Sequence, residues 1–144
     1  MKKPLQPIAV IGIAIVIMAG VSLYMQPRGK DIIPWRTDFA TAKQEAIQSN
    51  KRMLLYFTSV GCEPCQRMKQ TTWASKDVKA SLDSYVPVKL DITYDKGNIE
   101  LAKYLDIDGV PYFFLLDTDG RIVRRYTQAM EPEEFLAWIN PMKR

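Results

Sequence analysis

Two cysteines three positions apart, Cys62-Glu63-Pro64-Cys65, stand between the apolar run Met53 to Thr58 and a helix-like segment opening with Gln66-Arg67-Met68-Lys69. No other feature constrains the chain as much. At a helix start the first and fourth residues of the turn lie side by side, so the two thiols are placed to close a small reversible disulfide. The unpaired backbone N–H groups there favour a thiolate. These are the only two cysteines in 144 residues, and there is no histidine. A four-ligand zinc or iron–sulfur site within one chain would need two further soft ligands, so no metal is expected. A purely structural bridge is the competing account, but so short a loop removes little unfolded-chain entropy compared with a bridge that spans a domain. The pair therefore reads as redox chemistry, needing no cofactor beyond its own disulfide.

The N-terminus carries a second strong signal. After Met1-Lys2-Lys3, the stretch from Ile8 to Met25 holds no charged residue. At about 1.5 Å per helical residue it spans about 27 Å, close to the hydrocarbon thickness of a bilayer. A basic start followed by an apolar run also fits a cleaved signal peptide, with Gly20-Val21-Ser22 as the small-residue site, but the run is longer than the usual signal core. Residues 1–27 are therefore expected to form a membrane anchor, with a signal peptide as the alternative, followed by a linker over 28–36 and a domain over 37–144. Lys2 and Lys3 precede the span while Arg28, Lys30 and Arg36 follow it, so the charge count barely sets orientation. The export-signal character of the start places the domain outside the cytoplasm, on the periplasmic side of a bacterial inner membrane, where disulfides form and are edited.

Beyond the apolar run, eighteen basic residues face sixteen acidic ones. That balance, with no basic run, argues against nucleic acid as a partner.

The elements alternate. Asp38 suits a helix cap, and Phe39, Ala42, Ala46 and Ile47 recur at helical spacing up to about Asn50. Met53 to Phe57 reads as a strand buried on both faces. A helix follows the cysteines to about Trp73, with another over Lys76 to Leu82. Val86 to Ile92 is strand-like, Asp95 to Asn98 reads as a turn, and a helix runs on through Ile99 and Leu105. Tyr112 to Leu116 and Ile122 to Tyr126 flank Asp117-Thr118-Asp119-Gly120, a hairpin turn by composition. Pro132 suits the first position of a last helix. The order is α/β, without internal repeats.

With these elements in register, the chain resembles the thioredoxin-like proteins over about residues 35 to 140. Cys62-Glu63-Pro64-Cys65 matches their redox motif, Gly109-Val110-Pro111 the segment bearing their cis-proline, Lys89-Leu90-Asp91 their central strand, and Asp117 to Gly120 their hairpin. A tryptophan and helix before the first core strand, with Met68, Trp73 and Val78 after the cysteines, are similar to membrane-tethered members and to the reducing C-terminal domain of bacterial thiol:disulfide interchange proteins. The resemblance implies a central mixed β-sheet flanked by helices, here preceded by one N-terminal transmembrane helix. Two positions depart from the pattern: Gly61 replaces a tryptophan, and Tyr56 stands where cytosolic members bury an aspartate.

The expected activity is thiol:disulfide exchange on exported protein disulfides, with a membrane-embedded electron donor. Cys62 is the attacking thiolate and Cys65 the resolving thiol. Pro64 restrains the turn. Glu63 is either a solvated turn residue or a functional carboxylate beside Cys62, which would disfavour the thiolate and shift the pair toward a reductant. The resemblance assigns Val110 and Pro111 to substrate binding, by strand pairing beside the sulfurs. Lys89 is a candidate for charge stabilisation or proton relay, the alternative being a solvated strand-end lysine. Trp35, Trp73, Tyr112, Phe113, Phe114 and Trp138 are expected to pack rather than to contact substrate, with Trp73 and Tyr112, which fall near motif segments, the two to watch. A Cu(I)-handling thiol module and a membrane-tethered interaction domain with incidental thiols are the alternative functions.

Overall fold

The computed structural model describes residues 29–140, together with Gly12. But for Gly12, the expected anchor over residues 1–27 lies outside the described residues. Among the described residues no helix is long and apolar enough to cross a membrane.

Asp38 opens α1 (Phe39–Ser49), its side chain accepting from the Thr41 N–H, and Asn50 closes it in the left-handed conformation at φ 51°. β1 (Arg52–Thr58) leads to α2 (Glu63–Gln70), a single 3-10 turn (Thr72–Ala74) and α3 (Lys76–Leu82). The helix after the cysteines thus stops three residues short of Trp73. The stop falls at Thr71-Thr72, β-branched residues that lose side-chain freedom in a helix. β2 (Tyr85–Asp91) and α4 (Lys96–Tyr104) follow, then β3 (Tyr112–Leu116), β4 (Ile122–Tyr126) and α5 (Pro132–Ile139). Asp95 is the cap of α4, accepting from the Asn98 N–H, so the expected turn over Asp95 to Asn98 is already the first turn of the helix. The hairpin closes at Gly120, whose φ of 79° favours glycine.

The four strands form one mixed sheet in the order β2-β1-β3-β4. β1 and β2 are parallel, while β3 runs antiparallel to both β1 and β4. Because strand side chains alternate, β1 sends Leu54 and Tyr56 to one face and Met53, Leu55 and Phe57 to the other. The first face packs on both cysteines, Met68, Trp73, Val78 and Phe135. The second packs on Ala42 and Ala46 of α1 and Ala102 of α4. Burying a large apolar side chain contributes about 1.5–3 kcal/mol, so each face supplies several such terms.

Residues 29–36, expected as linker, are packed onto this domain. The Gly29 N–H donates to the Gln70 carbonyl at 3.0 Å and the Ile32 N–H to the Trp73 carbonyl at 2.8 Å. Arg36 adds a parallel bridge beside Val88 of β2. Its guanidinium grips Glu45 of α1 through two bonds, at 2.9 and 2.5 Å. Ile33 is buried in the first face.

Candidate active site

The cysteines sit where β1 hands over to α2. Cys62 is the N-cap residue of α2, in extended backbone, and its Sγ accepts the Cys65 N–H at 3.2 Å. A sulfur thus takes the place of the oxygen that usually caps a helix. Pro64 stands in the first turn, where its missing N–H leaves no intrahelical bond unmade. A disulfide joins Cys62 to Cys65, with Cα atoms 5.2 Å apart. In this state Cys62 is 6 % and Cys65 3 % exposed. Exposure hardly separates the two sulfurs; the direction of the capping bond does, since it points at Cys62. Glu63 is exposed in the first turn of the helix.

Behind Cys65 lies a polar cavity of about 180 Å³, lined among others by Tyr56, Lys69, Trp73, Lys89 and Asp91. Tyr56 and Lys89 are register partners on adjacent strands, and Tyr56 stacks on Phe113 at 5.1 Å between ring centroids. Burial pushes the Tyr56 phenol above its ordinary pKa, against weaker lowering by its hydrogen bond to Thr58, so it remains a neutral hydroxyl where the resemblance to cytosolic members implies a buried acid. Its bond to Thr58 Oγ1 is long, at 3.5 Å. The Trp73 indole N–H, fully buried, has no hydrogen-bond acceptor among the described residues. The indole N–H is therefore left to be met from the cavity that Trp73 lines.

Lys89 is neither a solvated strand end nor alone. Its ammonium lies 3.2 Å from the Asp31 carboxylate and 5.9 Å from the centre of the Trp35 ring. Asp31 also accepts the Trp35 indole N–H at 3.1 Å and the Ile33 N–H at 3.1 Å. Trp35 in turn packs edge-on against Trp73, 5.0 Å between centroids.

The Val110–Pro111 peptide bond is cis, at the entry to β3. Pro111 is buried and Val110 half-buried, and Val110 packs against both hydrophobic clusters, one of which contains the cysteines. Among the described residues no three or more Cys, His, Asp or Glu side chains gather as a metal site would need.

Sequence reasoning passed over Asp31, and it singled out Trp73 only by its nearness to the motif, without the cavity that its indole lines. Asp31 is 58 positions from Lys89, and no local pattern signals such a pairing. A charged residue inside an otherwise apolar strand, Lys89, was the available hint, because a cation on a packed sheet face needs a counter-charge.

A family model described as "Thioredoxin-like domain" matches residues 39–143. The thiol:disulfide interchange protein DsbD of Campylobacter jejuni (strain RM1221) is 23% identical over 105 residues, which cover 72% of this chain and 18% of that protein. The chain thus spans less than a fifth of that relative's length. A structure described as DsbH oxidoreductase superposes with a TM-score of 0.65 at 19% identity, covering 79% of this chain and 86% of that one. The oxidised C-terminal domain of DsbD from Neisseria meningitidis superposes with a TM-score of 0.60 at 20% identity, covering 72% and 95%. At these identities the likeness to solved structures establishes the fold alone.

Proposed function

This chain belongs to the thioredoxin-like domain family, and from that premise we propose that it is a thiol:disulfide oxidoreductase that reduces disulfides in exported proteins. The observation that carries the reading is Cys62 at the cap of α2, its sulfur already holding the Cys65 N–H at 3.2 Å. A sulfur so placed is stabilised as a thiolate by the helix start.

Cys62 attacks a client disulfide as that thiolate. A bond forms between Cys62 and one client sulfur, and the other client sulfur leaves as a thiolate that takes up a proton. Cys65 then attacks Cys62 Sγ, closing the intramolecular disulfide and releasing the second client thiol. Val110 and Pro111, at the entry to β3, are assigned to hold an extended client segment beside the sulfurs. Glu63 supports the reducing direction, because its exposed carboxylate opposes charge on Cys62.

An outward flow of electrons needs a donor. The relative from Campylobacter jejuni carries thiol:disulfide interchange in its name, which supports the exchange chemistry, while the uncharged run Ile8 to Met25 supports a domain held at the periplasmic face of the inner membrane by residues 1–27, within reach of a membrane-embedded donor. A reporter active only outside the cytoplasm is expected to work when fused after Arg144, and the protein to remain in membranes after carbonate washing. Recovery as a soluble protein with a new N-terminus near Leu23 would mean a cleaved signal.

The decisive experiment on chemistry uses two variants of the full chain. Cys65→Ser is expected to accumulate mixed disulfides between Cys62 and client proteins, and Cys62→Ser to accumulate none. Equal trapping by both would overturn the assigned roles, and an inability of the native chain to catalyse insulin reduction by dithiothreitol would overturn the activity.

A further inference from the structure

Resolution of the mixed disulfide asks Cys65, a residue 3 % exposed, to become an anion. Burial opposes this, so the charges around its cavity decide how readily it happens. Of the charged groups that line the cavity, Lys69 and Asp91 are exposed and screened by water. Tyr56 is held neutral by burial. The sheltered charges are Lys89, with its side chain 29% exposed, and Asp31 behind it, at 10%. Lys89 lines the cavity and Asp31 does not.

We propose that Asp31 is a positioning residue of the redox site: from the segment that leads into the domain, it balances the Lys89 ammonium behind Cys65 and so sets the ionisation of the resolving thiol. The proposal rests on the oxidoreductase reading and deepens it. Lys89 favours the Cys65 thiolate, Asp31 tempers that pull, and the pair leaves the thiol un-ionised until Cys62 is engaged. In the step itself the Cys65 thiol gives its proton to solvent entering the cavity, and its thiolate forms the bond to Cys62 Sγ. The bond from Cys62 to the client sulfur breaks, and that sulfur departs with the electron pair and is protonated by solvent. The client is reduced and the domain oxidised, with no further reactant.

The geometry separates charge from tethering. Lys89 has a second hold, the Trp35 face at 5.9 Å, so it keeps its place when Asp31 loses its charge. An asparagine at position 31 still offers an oxygen to the Ile33 and Trp35 N–H groups. The lead-in segment is also pinned independently, at Gly29, Ile32 and Arg36.

The test titrates Cys65 by its thiolate ultraviolet absorbance in the full chain carrying Cys62→Ser. Asp31→Asn is expected to lower the Cys65 midpoint by about half a pH unit or more, an increase of about threefold in thiolate below both midpoints. Lys89→Met is expected to raise it, and the double variant to return it toward the starting value. Shifts of the same sign in both single variants, or none in either, would overturn the proposal, because loosening alone moves both the same way. Should Asp31→Asn fail to fold, Lys89→Met decides alone: a raised midpoint supports the balance, and an unchanged or lowered one overturns it. Insulin reduction by the native chain is measured alongside; its failure sinks the oxidoreductase reading, whereas turnover without opposed shifts sinks only the role of Asp31.

Discussion

The two faces of the sheet are built from the same strands and do different work. The face against α1 and α4 is filled by Met53, Leu55, Phe57, Val86, Val88 and Leu90 with small alanines opposite and the Tyr112 ring among them, a packing dominated by aliphatic groups and away from the sulfurs. The face under α2 gathers Tyr56, Trp73, Phe113 and Phe135 around the two cysteines. Their rings meet edge to face, stacked or tilted, edge to face at 5.0 Å between Trp73 and Phe135, and the Trp73 indole N–H is left unpaired among them. A one-residue alternation along β1 assigns each side chain to one role or the other. Stability is thereby available from a face that chemistry does not touch, while the redox face tolerates an orphaned indole N–H and a charge pair.

That division is broken or sharpened by substitution on each side. Leu55→Ala is expected to cost about 2–5 kcal/mol of unfolding free energy and to leave the reduction potential of the folded domain unchanged, in denaturant titrations paired with redox equilibration. Trp73→Ala, of similar cost, is expected to move the potential as well, since Trp73 lines the cavity behind Cys65. A Leu55 effect on potential would dissolve the contrast.

Thr72 gives the next largest effect. Its buried hydroxyl donates to the Met130 carbonyl, joining the 3-10 turn to the loop before α5. Thr72→Val leaves that carbonyl unpaired and is expected to cost about 1–3 kcal/mol, again read by denaturant unfolding.

Tyr56 ties the redox face to pH. Its folded pKa is raised above the unfolded value of about 10. The folded state therefore holds its proton longer, and the contribution, present in full below about pH 10, is lost as pH rises through the folded value. Tyr56→Phe is expected to remove this alkaline loss while changing stability at neutral pH by less than about 1 kcal/mol. Thermal unfolding across alkaline pH checks both.

The smallest expected effect is at Glu63. Because its carboxylate is exposed, Glu63→Gln is expected to make the potential less negative by no more than about 30 mV, a tenfold change in the equilibrium constant.

What the sequence disclosed followed from short-range physics. The Asp38 cap, the run Met53 to Phe57, the helix Lys76–Leu82 and both arms of the hairpin carry their signals within a few residues, and each appears where that signal placed it. The start of α4 was misjudged because Gly97 is a poor helix former and Asp95 suits a turn as well as a cap. Residues 29–36 offer no periodicity to read, since they are held by scattered backbone bonds to Gln70, Trp73 and Pro87. The cysteines were legible at the site because their spacing is their chemistry. Asp31 was not, because its partner Lys89 is brought to it only when the lead-in segment crosses the edge of β2.

The account turns on the Cys62–Cys65 couple being reversible and reducing, and the reduction potential of the purified domain tests this most directly. Equilibrated against a thiol–disulfide buffer of known composition, the pair is expected to titrate as one two-electron couple near the thioredoxin value of about −270 mV. A couple near about −120 mV, the range of disulfide-forming oxidants, would contradict the reducing role and make oxidation of clients the better reading.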